Sequence, residues 1–139
     1  MADAAEGARA LVVGAAIVRD GRLLAARRTT PPEVAGRWEL PGGKVDEGET
    51  AEDALVRELV EELGCPIVVE RWLDDAQPIG TSYLLRVALC RLGDDLPRPG
   101  DDHDELRWLG PDDLDDVDWL GPDRPFLGEL RTVLLVSES

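Results

Sequence analysis

The chain has 139 residues, 43% of them apolar, which is enough for the core of one domain of ordinary size. Its 30 acidic residues outnumber 15 basic ones and give a formal net charge of −15, so the surface repels DNA and RNA, whose non-specific binding depends on Lys and Arg. No apolar run approaches the roughly 20 residues of a membrane span, and residues 1–9 lack the basic and apolar regions of a signal peptide.

These properties predict a cytoplasmic protein with no polymeric nucleic acid and no membrane as partner. We expect residues 1–9 to be a flexible tail and residues 10–137 to form a single domain. Cys65 and Cys90 are too few for a disulfide scaffold and have no metal-ligand spacing, so two reduced thiols in or near the core are expected. The sequence leaves open whether the protein is a monomer or a homodimer.

The first half of the chain begins with a predicted hairpin. Residues 11–19 and 22–28 are rich in apolar residues, and Asp20-Gly21 between them suits a two-residue turn in which both residues have positive φ. A loop containing several Pro and Gly residues follows and leads to the short apolar stretch 38–40.

A helix is predicted over residues 51–63. Thr50 and Asp53 have the spacing of a capping box, with Asp in place of the usual Glu or Gln. Gly64 stands where helices commonly end, and Pro66 cannot continue the helix.

The second half of the chain is predicted to contain further strands and a closing helix. The strands are residues 66–73, 81–92 and 106–109, a short helical turn covers 111–116, and the helix covers 123–136. Between the last two strands lies an acidic segment that we expect to be an exposed loop, with His103 at the surface. Strands followed by a helix, more strands and another helix predict an α/β layered domain with a mixed β-sheet between helices.

The helix 51–63 has two distinct faces on a helical wheel. The apolar arc spans roughly 140°, and its members are Leu55, Val56, Leu59, Val60 and Leu63. A second arc of roughly 100° carries Glu58, Glu61 and Glu62.

The acidic arc destabilises the helix unless something offsets its charge. Glu58 faces Glu61 and Glu62 at spacings where like charges repel, and all three lie near the helix C-terminus, where the helix dipole disfavours anions. Mg²⁺ or Mn²⁺ would offset the repulsion, because these cations prefer clustered carboxylate oxygens. A solvated acidic face is the alternative, since the whole chain is acidic.

The residues before the helix favour the metal interpretation. Pro41-Gly42-Gly43 lets the backbone approach a ligand closely, and Lys44 adds a cation beside it. Together with a carboxylate-bearing helix, this arrangement suits a phosphate bridged by metal ions.

The segment from Gly43 to Gly64 resembles the Nudix box, in which Gly, Glu, Arg-Glu-aliphatic, Glu-Glu and Gly recur at fixed spacing. The matching residues here are Gly43, Glu49, Arg57, Glu58, Leu59, Glu61, Glu62 and Gly64. Cys65 departs from the pattern, because an aliphatic residue is usual at that position. The lead-in Trp38 to Lys44 is similar to that of the MutT branch, and the resemblance implies the Nudix α/β/α sandwich with a mixed sheet.

The resemblance also implies roles for the residues of the box. Glu58, Glu61 and Glu62 would bind Mg²⁺ (or Mn²⁺), and the backbone carbonyl at Gly43 would add a ligand. Asp102, or alternatively Glu105, would complete the metal or base set, and Glu61 or Asp102 would accept a proton from the attacking water. A further pair, Glu49 and Arg57, would hold the loop against the helix by an ion pair.

Substrate contacts are implied outside the box. Arg28 and Lys44 would hold phosphate oxygens, although each is equally well a plain surface cation. Asp123 would read the base, and Trp119 or Tyr83 would stack on it, with a core position as the alternative for both aromatic residues.

The function that follows is Mg²⁺-dependent hydrolysis of a small nucleotide. In the MutT branch, water attacks the β-phosphorus of a nucleoside triphosphate and releases a nucleoside monophosphate and pyrophosphate, with 8-oxo-dGTP or CTP and dCTP as substrates. The alternatives are a hydrolase of a nucleotide sugar or dinucleoside polyphosphate, and a nucleotide-binding domain without catalysis. Domains of the last kind usually lose one or more box acids, and this chain has them all.

Overall fold

Seven strands and two helices form along residues 9–137, the part of the chain that this computed structural model describes. The strands are β1 (Ala10–Arg19), β2 (Arg22–Arg28), β3 (Trp38–Glu39), β4 (Gly42–Lys44), β5 (Ile67–Ile79), β6 (Tyr83–Leu92) and β7 (His103–Leu109). The helices are α1 (Ala51–Leu63) and α2 (Leu127–Ser137), with short 3₁₀ segments at Pro32–Val34, Leu114–Asp116 and Gly121–Phe126. All but Arg9 of the predicted tail lies outside the described residues.

The sheet is mixed, as predicted. Its strand order is β3-β2-β1-β6-β5, and β4 and β7 pair with β1 and β2 respectively. Strand β1 runs parallel to β6 and antiparallel to β2 and β4. The centre of β1 is buried on both faces, which is why its sequence reads as a continuous run of small and apolar residues rather than an alternation.

One helix packs on each face of the sheet, so the predicted α/β/α sandwich is confirmed. On one face, Leu55, Leu59 and Leu63 of α1 pack in a fully buried cluster against the sheet. On the other, Leu130 and Leu134 of α2 are fully buried in a second cluster.

The local signals at the first turn and at α1 are also confirmed. Asp20 and Gly21 have φ angles of 52° and 73° and connect β1 to β2. The Thr50 hydroxyl accepts a hydrogen bond from the Asp53 N–H at 3.0 Å. Gly64 ends the helix in the left-handed conformation with φ of 71°, which a residue without Cβ adopts at little cost.

Several boundaries differ from those predicted, and three of them lie at β4, β5 and the closing helix. Gly42–Lys44 forms a short strand because it pairs with β1, although its glycines have no strand propensity. Strand β5 extends to Ile79, where a break was expected after residue 73. The closing helix begins at Leu127, after a 3₁₀ segment that includes Pro125, which has no N–H to donate.

The structure corrects one expectation about side-chain burial and confirms another. Val60, placed in the apolar arc of α1, is 48% exposed, so the buried face is narrower than the wheel indicated. Cys65 and Cys90 are buried and free, as expected. Among the described residues, no helix is long and apolar enough to cross a membrane.

Candidate active site

A cavity of about 400 Å³ lies where β1 and β4 meet the segment before α2. Its polar lining comes from both halves of the chain, namely Arg28, Glu39, Gly42, Gly43, Lys44 and Asp123. We use the name acidic end for Gly42 and Gly43 of the cavity wall together with Glu58, Glu61 and Glu62 of α1, which do not line the cavity themselves. We call Leu40, Leu120, Pro122 and Asp123 the Asp123 end.

The acidic end depends on two glycines that admit no side chain. A Cβ on Gly42 would collide with the backbone of Val13 in β1, and one on Gly43 would collide with the Glu58 carboxylate. The Gly42 N–H donates to Glu62 Oε1 at 3.2 Å. Strand β4 therefore brings its backbone directly against two carboxylates of α1.

Few positive charges compensate the carboxylates of Glu58 and Glu62. Burial raises the pKa of Glu62 to about 8, with further contributions from Glu39 and Glu58. Burial also raises the pKa of Glu58, although its bond with Arg57 opposes the shift. A cation at this end would favour the ionised form of both side chains.

Arg57 connects the loop before α1 to the acids on the helix. Its guanidinium donates to Glu49 at 2.7 and 2.9 Å and to the Lys44 carbonyl at 3.2 Å, so the expected ion pair with Glu49 is present. These bonds lower the pKa of Glu49 to about 2. Its Nη1 also lies 3.1 Å from Glu58 and 3.2 Å from Glu61.

Glu61 is positioned differently from its two neighbours. Its side chain is 55% exposed and pairs with Arg57, whereas Glu58 and Glu62 lie against the glycines. The acids of the helix therefore form a partly buried pair and an exposed third member.

The Asp123 end contains a carboxylate that is almost fully buried. Asp123 is 6% exposed, and its Oδ2 accepts a hydrogen bond from the Leu40 N–H at 2.9 Å. Burial raises its pKa to about 7, and this hydrogen bond only partly opposes the shift. The protonation state of Asp123 therefore changes close to neutral pH.

Trp119 does not lie in the cavity. Its side chain is fully buried in the core, and its indole N–H donates to the Leu114 carbonyl at 2.6 Å. Trp119 therefore occupies the core, which was the alternative expected for it, and its ring cannot stack on a base in this structure.

Tyr83 instead contacts a cation that was expected to bind phosphate. The ammonium group of Lys44 lies 4.8 Å from the centre of the Tyr83 ring. The hydrogen bond with Tyr83 raises the pKa of Lys44, which is exposed at the cavity. Lys44 is therefore cationic and accessible to a ligand.

A group that sequence reasoning missed joins Arg28 to a buried histidine. Glu39 Oε2 lies 2.8 Å from Arg28 Nη1 and 2.8 Å from His103 Nε2. The expectation of a surface His103 is wrong, because its side chain is 0% exposed. The expected loop ended at Asp104, but His103 and Asp104 belong to β7, and the sequence around His103 gives no signal of its burial.

The two candidates for a downstream acid lie in different surroundings. Asp102 is exposed, and its carbonyl accepts a hydrogen bond from the Thr29 N–H at 2.9 Å. Glu105 pairs with Arg27 at 3.3 Å and Arg107 at 3.2 Å, and these ion pairs use its carboxylate. Of the two, Asp102 has the side chain that remains accessible.

The family model of the NUDIX domain matches residues 8–130. The chain belongs to the Nudix hydrolase family. A Mycobacterium tuberculosis protein with the name "Putative 8-oxo-dGTP diphosphatase 2" is 48% identical over 103 residues, which are 71% of this chain and 72% of that protein. The CTP pyrophosphohydrolase of Escherichia coli is 35% identical over 102 residues, 73% of this chain and 76% of that protein.

A solved structure shows the same fold for a Nudix relative. The crystal structure of a MutT NUDIX hydrolase from Burkholderia pseudomallei has a TM-score of 0.74 and 39% sequence identity, over 87% of this chain and 97% of that chain. The sandwich, and with it the placement of the box helix against the sheet, is therefore shared.

Nudix hydrolases generally use divalent metal ions such as Mg²⁺, and the donor chemistry of the acidic end fits such an ion. Glu58 and Glu62 present carboxylate oxygens next to the Gly42-Gly43 backbone, and hard divalent cations prefer oxygen ligands. Burial raises the pKa of both carboxyl groups, and a cation between them would favour their ionised forms. Within residues 9–137, however, no three His, Cys, Asp or Glu side chains are already arranged around one ion position.

Proposed function

We propose that this Nudix hydrolase converts a nucleoside triphosphate to a nucleoside monophosphate and pyrophosphate in a Mg²⁺-dependent reaction. One observation carries the proposal: a single cavity is lined by the glycines that contact the box acids, by two cations, and by a buried carboxylate. A cavity with phosphate-binding and base-binding groups together suits a whole nucleotide.

The phosphate chain is assigned to the acidic end. Glu58, Glu61 and Glu62, with the backbone carbonyl of Gly43, would hold the divalent ion. An ion held there would supply a lowered pKa for a bound water molecule and positive charge for the leaving oxygen. Arg28 and Lys44 add two cations on the cavity wall that hold phosphate oxygens.

The proton of the attacking water requires an acceptor with solvent access. Glu61 and Asp102 are both exposed carboxylates, and either can take this role. Arg57 Nη1 lies 3.2 Å from Glu61 Oε1, and Arg57 Nε lies 2.7 Å from Glu49 Oε2. Arg57 and Glu49 therefore orient the acids of the helix.

The base is assigned to the Asp123 end. Ionised, the Asp123 carboxylate accepts hydrogen bonds from an exocyclic amine such as N4 of cytosine, or from N1–H and N2–H of a guanine or 8-oxoguanine. Protonated, it can also donate one. The relatives named for 8-oxo-dGTP and for CTP support these two classes of base, and apolar Leu85 and Leu120 give the cavity a surface for a ring.

The test is a panel of nucleoside triphosphates, including CTP, dCTP and 8-oxo-dGTP, assayed with and without Mg²⁺. We expect pyrophosphate and nucleoside monophosphate in equal amounts, a clear preference for one or two members, and no turnover with the metal chelated. Orthophosphate as the released product, or no hydrolysis of any member with Mg²⁺ or Mn²⁺, would refute the proposal.

A further inference from the structure

Strand β7 contains a register shift that changes the direction of one side chain. Against β2, Glu105 pairs with Arg27, but the next residue of β2, Arg28, pairs with His103, so Asp104 is the extra residue. Paired residues point to the same face of a sheet, and a bulge of this kind redirects the following side chain. His103 is consequently on the face of Arg28, whereas Asp104 is 46% exposed and pairs with Arg27 at 2.8 Å.

The buried imidazole makes one hydrogen bond and leaves its other nitrogen without a partner. His103 Nε2 lies 2.8 Å from Glu39 Oε2, while Nδ1 is buried and has no hydrogen-bond partner among the described residues. Because a buried N–H without an acceptor is costly, the proton belongs on Nε2, which donates to the Glu39 carboxylate. A leucine would fill this position with no unpartnered nitrogen, so packing alone does not explain a histidine here.

The carboxylate that His103 contacts also fixes a cation of the cavity. Glu39 Oε2 accepts from Arg28 Nη1 at 2.8 Å, and Arg28 Nε donates to the Thr30 carbonyl at 2.7 Å. Two bonds from adjacent nitrogens determine the plane of the guanidinium. Among the hydrogen bonds of residues 9–137, none uses Arg28 Nη2, and Arg28 lines the cavity.

The position of Glu39 has consequences for both ends of the cavity. Its negative charge contributes to the raised pKa of Glu62 and to that of Asp123. Two donors, Arg28 Nη1 and His103 Nε2, hold the Glu39 carboxylate at the position from which it binds Arg28. Loss of the His103 donor would remove one of these two contacts and leave Glu39, and with it Arg28, less firmly held.

We propose that His103 is a positioning residue for substrate binding, which acts through the Glu39 carboxylate to hold the Arg28 guanidinium against a phosphate oxygen of the nucleotide. The identity of the ligand rests on the function proposed above. His103 touches neither the substrate nor the reacting atoms; its effect is on the orientation of Arg28, so it appears in substrate affinity rather than in the chemical step.

Steady-state kinetics on the preferred triphosphate separate this role from simple packing. His103→Leu should raise KM about tenfold, the size expected for losing one charge-assisted hydrogen bond, and leave kcat within about threefold. His103→Gln, whose amide Nε2 can also donate to Glu39, should restore most of the affinity. Asp104→Asn, one residue away on the exposed side, is the control and should keep the wild-type KM.

A double-mutant cycle identifies the path through Arg28. If His103 acts through that guanidinium, His103→Leu should raise KM no further in an Arg28→Ala background. Additive effects of the two changes, or equal losses for His103→Gln and His103→Leu, would overturn the proposal.

NMR of the imidazole tests the role of His103 without a measurement of hydrolysis. His103 is the sole histidine of the chain, so ¹⁵N NMR of the imidazole reports it without ambiguity. The metal-free protein should show the Nε2–H form, and added cytidine monophosphate or pyrophosphate should shift the imidazole signals in the wild type but not in Arg28→Ala. Signals that neither probe moves would overturn the role of His103, even if hydrolysis is found. Signals that move in a protein without hydrolytic activity would support it and refute only the proposed reaction.

Discussion

The two ends of the cavity are built in different ways. The acidic end comes from one continuous stretch, residues 42–62, in which a short strand and the following helix place glycines against glutamates. The Asp123 end joins Asp123 to the backbone of Leu40, 83 residues away along the chain. One end is therefore a contiguous sequence motif that folds against β1, and the other joins residues that are far apart in the sequence.

Their electrostatics differ as well. The acidic end collects several carboxylates beside one arginine and needs an added cation, whereas the Asp123 end buries a single carboxylate whose pKa rises to about 7. This difference supports the proposal that the first end carries the chemistry and the second selects the base. Variants at each end should then change different measurable quantities.

The largest effect is expected for Glu61→Gln at the acidic end. Removing a proton acceptor or metal ligand should lower kcat by about 10²–10⁴-fold, with the melting temperature nearly unchanged because the side chain is exposed. Glu52→Gln, an exposed change on the same helix, is the matched control. If the variant hydrolyses the substrate as fast as the wild type, Glu61 takes no part in the reaction. The proposed division of roles between the two ends would then be weakened.

A smaller loss is expected for Gly43→Ala, because the added methyl group would displace the Glu58 carboxylate. Misplacing one metal ligand should reduce kcat by about 10²-fold. It should also abolish the stabilisation by Mg²⁺, which for the wild type is about 2.7 kcal/mol at 100 times the Kd.

The glycine control is Gly128→Ala, a position in α2 where a Cβ meets nothing within 4 Å. Thermal melts of both variants with and without Mg²⁺ make the comparison. A Gly43→Ala protein that is still stabilised by Mg²⁺ to the wild-type extent would place the ion elsewhere.

At the other end, Asp123→Asn should change the ranking of bases rather than the rate on all of them. An amide donates where the ionised carboxylate only accepts, and one base-edge contact is worth about 1–3 kcal/mol. The ratio of kcat/KM between CTP and 8-oxo-dGTP should therefore shift by about tenfold or more, while the Mg²⁺ concentration dependence stays the same. Equal losses on every triphosphate would show that Asp123 supports the fold and does not read the base.

The smallest effect is a pH dependence of stability at Asp123. Its folded pKa, about 7, lies above the ordinary value of 3.8, so the native state retains a proton that the unfolded state has already released. The free energy of unfolding contributed by this group therefore falls as pH rises from about 4 to 7. The amide of Asp123→Asn does not titrate, so the variant lacks this contribution to the pH dependence.

Urea denaturation of metal-free protein at pH 4.5 and pH 7.5 measures this difference. Asp123→Asn should gain stability relative to the wild type at the higher pH, by at least the 1.4 kcal/mol or so that one pKa unit represents. An unchanged difference between the two proteins across this range would mean that the carboxylate is ionised throughout.

What the sequence predicted well is what local physics determines. Thr50 and Gly64 mark the ends of α1 because caps act within a few residues, and Asp20-Gly21 specifies its turn alone. Helical spacing also predicted the positions of Glu58 and Glu62 next to each other on α1, whereas Glu61 turns to solvent and to Arg57. The fold class followed from the order of elements, since strands and helices in this order favour one layered arrangement.

The remainder depends on pairings between distant segments. Gly42–Lys44 is a strand only because β1 offers it an edge. His103 is buried only because β7 shifts its register against β2, which no pattern of polar and apolar residues around it indicates. Trp119 was a candidate for stacking, and its burial is a consequence of how β3 and the segment before α2 meet.

The most direct test of the account follows the oxygen of the attacking water. Hydrolysis of the preferred triphosphate in H₂¹⁸O with Mg²⁺ should place the label in pyrophosphate, with an equal amount of unlabelled nucleoside monophosphate, because in the proposed reaction water attacks the β-phosphorus. Label in the monophosphate, or orthophosphate as the product, would contradict this arrangement of phosphates in the cavity.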